Sequence, residues 1–138
     1  MTEFRYIAAI LLIAFISGCA SEIDPAKVKQ HQLEVQRMQT AVFDTHDRKL
    51  VTRGIVAALQ DLDFIISEAD AGQGLVTAKK FGTYPIEMTI TVQPISSKQI
   101  LIHAIAQSNL KTLEDRALYE QFFATVEKYL PLVSRAGD

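Results

Sequence analysis

Four groups of residues in this sequence have types and spacings that could do chemistry. The first is Ile16-Ser17-Gly18-Cys19, small residues set before the only cysteine of the chain, at the close of an apolar run over residues 6–15. A lone thiol behind small residues is a point where a chain can be cut and modified, and without a second cysteine it forms no internal disulfide. The second group is Asp44, His46 and Asp47, where carboxylates and an imidazole lie close enough in sequence to suggest metal ligation. The third is His103, a candidate general base. The fourth is Gly72-Gln73-Gly74, a glycine pair of the kind that lets a backbone approach a phosphate.

The last three have plainer explanations. No distant His or Cys completes a ligand set with Asp44, His46 and Asp47, and a helix start accounts for both acids, with Asp44 or Thr45 as N-cap and Asp47 facing the positive helix terminus. His103 has no Ser or Cys nucleophile motif to serve and reads as a sheet-surface histidine. Gly72-x-Gly74 lacks the third glycine and the following helix of a phosphate loop, and reads as a turn. His31 sits in a polar stretch and reads as solvated. The expectation is therefore a non-enzymatic protein with no catalytic and no metal-binding residues.

The first group is more specific. The run over residues 6–15 is too short to cross a bilayer, which takes about 20 apolar residues, and has the length of a signal-peptide core. Its amino-terminal flank carries Arg5, partly offset by Glu3. Ile16-Ser17-Gly18-Cys19 resembles the lipobox of bacterial lipoproteins at all four positions. The resemblance implies cleavage between Gly18 and Cys19, a diacylglycerol joined to the Cys19 thiol and an acyl chain on the new amine, with no other cofactor. It divides the chain into a signal peptide at 1–18, a lipidated tether at 19–36 and a domain at 37–138. Ala20 follows the cysteine where an Asp would signal retention, so similarity to the sorting rule of Gram-negative lipoproteins implies the outer membrane, lipid-anchored and facing the periplasm. Two or three acyl chains hold a protein to a membrane stably where one holds it only marginally.

The remaining 120 or so residues are enough for one domain with a real core. The whole chain carries 14 basic and 16 acidic side chains, and the balance stays at −2 once Arg5 and Glu3 leave with the signal. That balance argues against a nucleic-acid partner, which would select a basic face.

The elements that must position these residues follow from periodicity. Asp24-Pro25 can cap and start a helix through residues 27–36, although Val28, Leu33 and Val35 make no continuous stripe. Residues 37–43 alternate and predict a strand. Leu50, Val51, Gly54, Ile55, Ala58, Leu59 and Leu62 make one helical apolar face. Residues 63–69 and 75–80 flank the turn and predict a hairpin, as do residues 84–92 and 99–107. In the second hairpin, placing Val92 opposite Ile100 sets Ile90 against Ile102, Met88 against Ala104 and Ile86 against Ala106. Its other side then pairs Thr91 with Leu101, Thr89 with His103 and Glu87 with Ile105, putting apolar Leu101 and Ile105 on a face that should be wet. Thr89, Thr91, Leu101, His103 and Ile105 are therefore the candidate partner-binding residues. A last helix from about Glu114 carries Leu118, Phe122, Phe123, Val126, Tyr129, Leu130 and Val133, with Pro131 near its end. The aromatic stripe reads as core, or alternatively as one wall of a groove for a lipid or small apolar molecule.

The predicted fold is α+β: a single curved antiparallel sheet of about five strands, in the order β-α-β-β-β-β-α, with two helices packed on one face. This order is similar to the helix-grip domains of a lipoprotein component of the outer-membrane barrel-assembly machine, a likeness of topology and not of motif. At the level of motifs, Met38-Gln39-Thr40 with Phe43-Asp44-Thr45-x-Asp47, Leu59-Gln60-Asp61-Leu62-Asp63-Phe64, Gly74-Leu75-Val76 with Lys79, and Tyr119-x-x-Phe122-Phe123 resemble a group of uncharacterised bacterial lipoproteins. That group's usual form has Gly at the place of Asp63. The resemblances carry no catalytic residue. They imply an outer-membrane lipoprotein that serves as an interaction or assembly module of the cell envelope, with an envelope protein as partner.

Overall fold

Asp24-Pro25 starts a helix, as its residue types dictate. The Asp24 carboxylate accepts the Ala26 amide at 3.0 Å, and α1 follows over Pro25–Gln39. The computed structural model describes residues 22–130 and 135–136, so the expected signal segment, with Gly18 and Cys19, and Pro131 and Val133 lie outside the described residues. The chain divides into two units, residues 1–30 and 31–138. Helix α1 continues through Arg37, Met38 and Gln39, which the alternation pattern assigned to the first strand. All three are good helix formers, and the Thr40 hydroxyl donates to the Gln36 carbonyl at 2.9 Å, satisfying one acceptor of the last turn. Strand β1 is confined to Thr40–Phe43, where β-branched and aromatic residues begin.

Helix α2 spans Arg48–Asp61, and its N-cap is Asp47 rather than Asp44 or Thr45. The Asp47 carboxylate accepts the Leu50 amide at 3.0 Å, while the Thr45 hydroxyl accepts the amide of Asp47 at 3.1 Å. The far end of α2 closes with two bonds, Phe64 N–H to Leu59 C=O at 2.9 Å and Asp63 N–H to Gln60 C=O at 3.1 Å. This is a Schellman ending, and it requires the residue after the cap to be left-handed. Asp63 has φ 66°, so the position where the resembling group has glycine does make a special turn.

Strands β2 (Ile65–Asp70), β3 (Leu75–Lys80), β4 (Ile86–Pro94), β5 (Ile100–Ser108) and β6 (Lys111–Thr112) follow, and then α3 (Arg116–Lys128), capped by Asp115. All neighbouring strands are antiparallel, in the order β1-β5-β4-β3-β2, with β6 paired to β5. The fold is α+β, one open antiparallel sheet with helices packed on it. The short β6 and the long α1 add to the predicted order.

One sheet face is apolar throughout: Ala41 and Phe43 of β1, Val76 and Ala78 of β3, Met88, Ile90 and Val92 of β4, and Ile100, Ile102, Ala104 and Ala106 of β5 are all buried. They share a core with Val51, Ile55, Ala58 and Leu59 of α2 and Tyr119, Phe122, Phe123 and Val126 of α3. Phe122 and Phe123 are buried and meet edge to face at 5.0 Å, so these two rings are core packing, whereas Tyr129, expected in the same stripe, is exposed at the end of α3.

The β4–β5 register differs from the expected one by two residues. Val92 pairs with Ile102, Ile90 with Ala104 and Met88 with Ala106, and Pro94 faces Ile100. The strands run on to a tight turn in which the Ile95 amide donates to the Gln99 carbonyl at 3.0 Å. A slip of two leaves every side chain on its original face, so the alternation pattern alone could not distinguish the registers.

The 70–74 segment is the predicted turn. The Asp70 carboxylate accepts the amides of Gly72 and Gln73 at 2.8 and 2.9 Å. Gly74 is left-handed at φ 70°, and its carbonyl accepts the Val92 amide at 2.8 Å. A Cβ at Gly74 would lie 2.2 Å from the Val92 carbonyl oxygen, so only glycine fits where this turn meets β4.

Candidate functional site

The face of the sheet opposite the core is built by the residues between the buried ones. Strand pairing arranges them in rows: Val42, Leu101 and Gln93; then Thr40, His103, Thr91 and Leu75; then Ile105, Thr89 and Thr77. The five predicted contact residues all lie on this face, but with other neighbours than expected. His103 stands between Thr40 and Thr91, Ile105 beside Thr89, and Leu101 between Val42 and Gln93. Leu101, His103, Ile105 and Thr89 are half-buried, and Thr91 is exposed.

Thr40, Val42, Leu75 and Thr77 extend the patch and are likewise half-buried. Sequence reasoning missed them because β1 joins β5 across most of the chain and β3 joins β4 from a different hairpin. The alternation of Thr40 and Val42 with buried Ala41 and Phe43 was the available signal. The result is a central field of threonine hydroxyls and aliphatic side chains, bordered by the Lys79–Glu87 ion pair at 3.2 Å. Hydroxyls and methyl groups can hydrogen-bond and pack against a flat partner. They supply no acid–base pair; His103 is the titratable side chain at the centre of these rows, and at their far ends β2 places Asp70 opposite Leu75 and Glu68 opposite Thr77.

The other candidates fall elsewhere. Asp44 accepts the Gln99 side-chain amide at 2.9 Å and Asp47 caps α2, so both acids have structural partners. Among the described residues no group of three or more His, Cys, Asp or Glu side chains could hold a metal ion. His31 is not simply solvated: its Nε2 lies 2.9 Å from the Glu114 carboxylate. Between α2 and β2 a groove of about 550 Å³ has Val56, Ala57, Ala69 and Ala71 among its lining, with Lys49 and Arg53. The Tyr129 hydroxyl donates to the Asp61 carboxylate, a bond that raises the tyrosine's pKa above its ordinary value, with desolvation and the Asp61 charge adding to the effect. No helix among the described residues is long and apolar enough to cross a membrane.

No protein-family model matches the chain, and no curated protein matches it.

Proposed function

We propose that this chain is an outer-membrane lipoprotein, anchored by acyl chains on Cys19 and facing the periplasm, that works as a non-enzymatic interaction module of the cell envelope. The observation that carries this reading is the lipobox Ile16-Ser17-Gly18-Cys19 at the end of a short apolar run that begins near the amino terminus. The open sheet face around Thr89, Thr91, Leu101, His103 and Ile105 is where an envelope protein docks, because apolar side chains there interrupt a face that alternation should leave polar. Radiolabelled palmitate tests the anchor. The parent incorporates label, and Cys19→Ala does not and accumulates as uncut precursor. Label in that variant, or none in the parent, defeats the reading.

A further inference from the structure

Three connections meet at one end of the sheet. β3 ends there at Lys80, β4 begins at Ile86 and β5 ends at Ser108, while β2 starts nearby at Ile65 opposite Lys79. The 81–85 and 109–110 loops therefore lie side by side. They expose Phe81 at 70%, Tyr84 at 77% and Leu110 at 95% of full accessibility, and Ile65 beside them at 61%. A shallow recess of about 270 Å³ separates the loops and is lined in part by Phe81, Ile86 and Leu110.

Leu110 is the informative residue. Ser108 pairs with Lys111, so Asn109 and Leu110 form a two-residue hairpin turn, and both have positive φ, at 49° and 65°. A turn with both central residues left-handed favours Asn-Gly. Asn109 fits, but a bulky leucine takes the position where glycine is least strained and holds its side chain almost wholly in water. Folding is opposed on both counts, so neither local geometry nor burial accounts for this leucine.

We infer that this end of the sheet is a membrane-contacting tip, in which Phe81, Tyr84 and Leu110 enter the boundary between headgroups and acyl chains. The inference rests on the membrane-anchored reading above. Phe81 and Leu110 border the recess from single loop positions and Tyr84 stands outside its lining, a shape that a fluid bilayer accepts more readily than a fitted protein pocket does. Tyr84 and Phe81 are of the aromatic type found at bilayer interfaces. Lys80 and Lys111 flank these loops, Lys80 over the Phe64 ring and Lys111 exposed, while Lys79 is paired with Glu87 at 3.2 Å; the two lysines suit anionic headgroups. Chain direction agrees. β1 is antiparallel to β5, so the polypeptide enters the sheet at Thr40 from this same end.

The test uses the full chain, processed and reconstituted in vesicles of phosphatidylethanolamine and phosphatidylglycerol. The intact mass is recorded first: absence of acyl chains defeats the anchor, independently of the tip. An environment-sensitive fluorophore is then placed through Gly82→Cys, where an added Cβ meets nothing within 4 Å, or through Ser97→Cys at the opposite end. Nitroxide-bearing lipids should quench the label at 82 severalfold more than the label at 97. Adding Leu110→Gly and Phe81→Ser to the Gly82→Cys chain should remove most of that difference, and Leu110→Gly alone should raise the melting temperature, which separates lost contact from lost fold. Equal quenching at the two sites, no quenching at 82, or quenching unchanged by the paired substitutions overturns the tip while leaving an acylated anchor in place.

Discussion

The Tyr119 hydroxyl accepts the backbone amide hydrogen of Ala106 at 3.0 Å, tying α3 to strand β5. The same oxygen donates to the Leu113 carbonyl at 2.9 Å, and the Gln39 side-chain amide reaches it at 3.3 Å. One fully buried side chain thus joins the end of α1, strand β5 and the approach to α3.

Tyr119→Phe keeps the ring and removes the shared oxygen, stranding buried polar groups without partners. Urea unfolding should show a loss of about 1–3 kcal/mol. A variant as stable as the parent would mean that water replaces the hydroxyl.

Asp63 and Gly74 have nearly the same left-handed φ, 66° and 70°, yet substitutions there should act in opposite directions. Asp63→Gly relieves strain at the end of α2 and should stabilise by about 0.5–1 kcal/mol. Gly74→Ala adds strain and drives a Cβ into the Val92 carbonyl, so it should cost about 2 kcal/mol or more. Thermal melts of the two variants check both signs.

Core and open face should separate cleanly under mutation. Phe122→Ala empties a fully buried site and should cost about 3–5 kcal/mol. Leu101→Lys and Ile105→Lys lie on the half-buried open face and should each cost about 1 kcal/mol or less, while weakening crosslinking to an envelope partner. Circular dichroism beside the crosslinking profile decides: an unchanged profile in folded variants removes this face from consideration.

Tyr129 makes stability fall at alkaline pH. Its folded-state pKa is raised, chiefly by the hydrogen bond to Asp61, so the folded chain holds this proton more tightly than the unfolded chain. The contribution is complete below the ordinary tyrosine pKa of about 10 and is lost as pH rises through the folded value. Tyr129→Phe should flatten the part of the stability profile above about pH 10. An identical alkaline slope in that variant would assign the loss to other groups.

The sequence made the elements legible where periodicity was strong. The alternation along Met88, Ile90 and Val92 and the apolar stripe of Val51, Ile55 and Leu59 led directly to a strand and a helix. Boundaries were less legible where two patterns fit the same residues, as at Arg37, Met38 and Gln39, which suit a helix as well as the alternation that assigned them to β1. The β4–β5 register was underdetermined because a two-residue slip preserves both faces. Tyr119 escaped the predicted core because its value lies in a hydroxyl whose partners come from three separate parts of the chain. Leu101 and Ile105 were visible as misplaced apolar residues within one hairpin, whereas Val42 and Leu75 joined them only once the strand order was known.

Strand β2 is one border of the sheet, and its pairing with β3 shifts between Ile66 and Glu68. An irregular border is a poor template for another strand, and the exposed Ser67 and Glu68 make it poorer still. Molecules confined to a surface meet far more often than molecules free in solution. If the chain is lipid-anchored as proposed, a kinked, acidic margin of this kind would let many copies crowd together on one leaflet without zipping into fibrils.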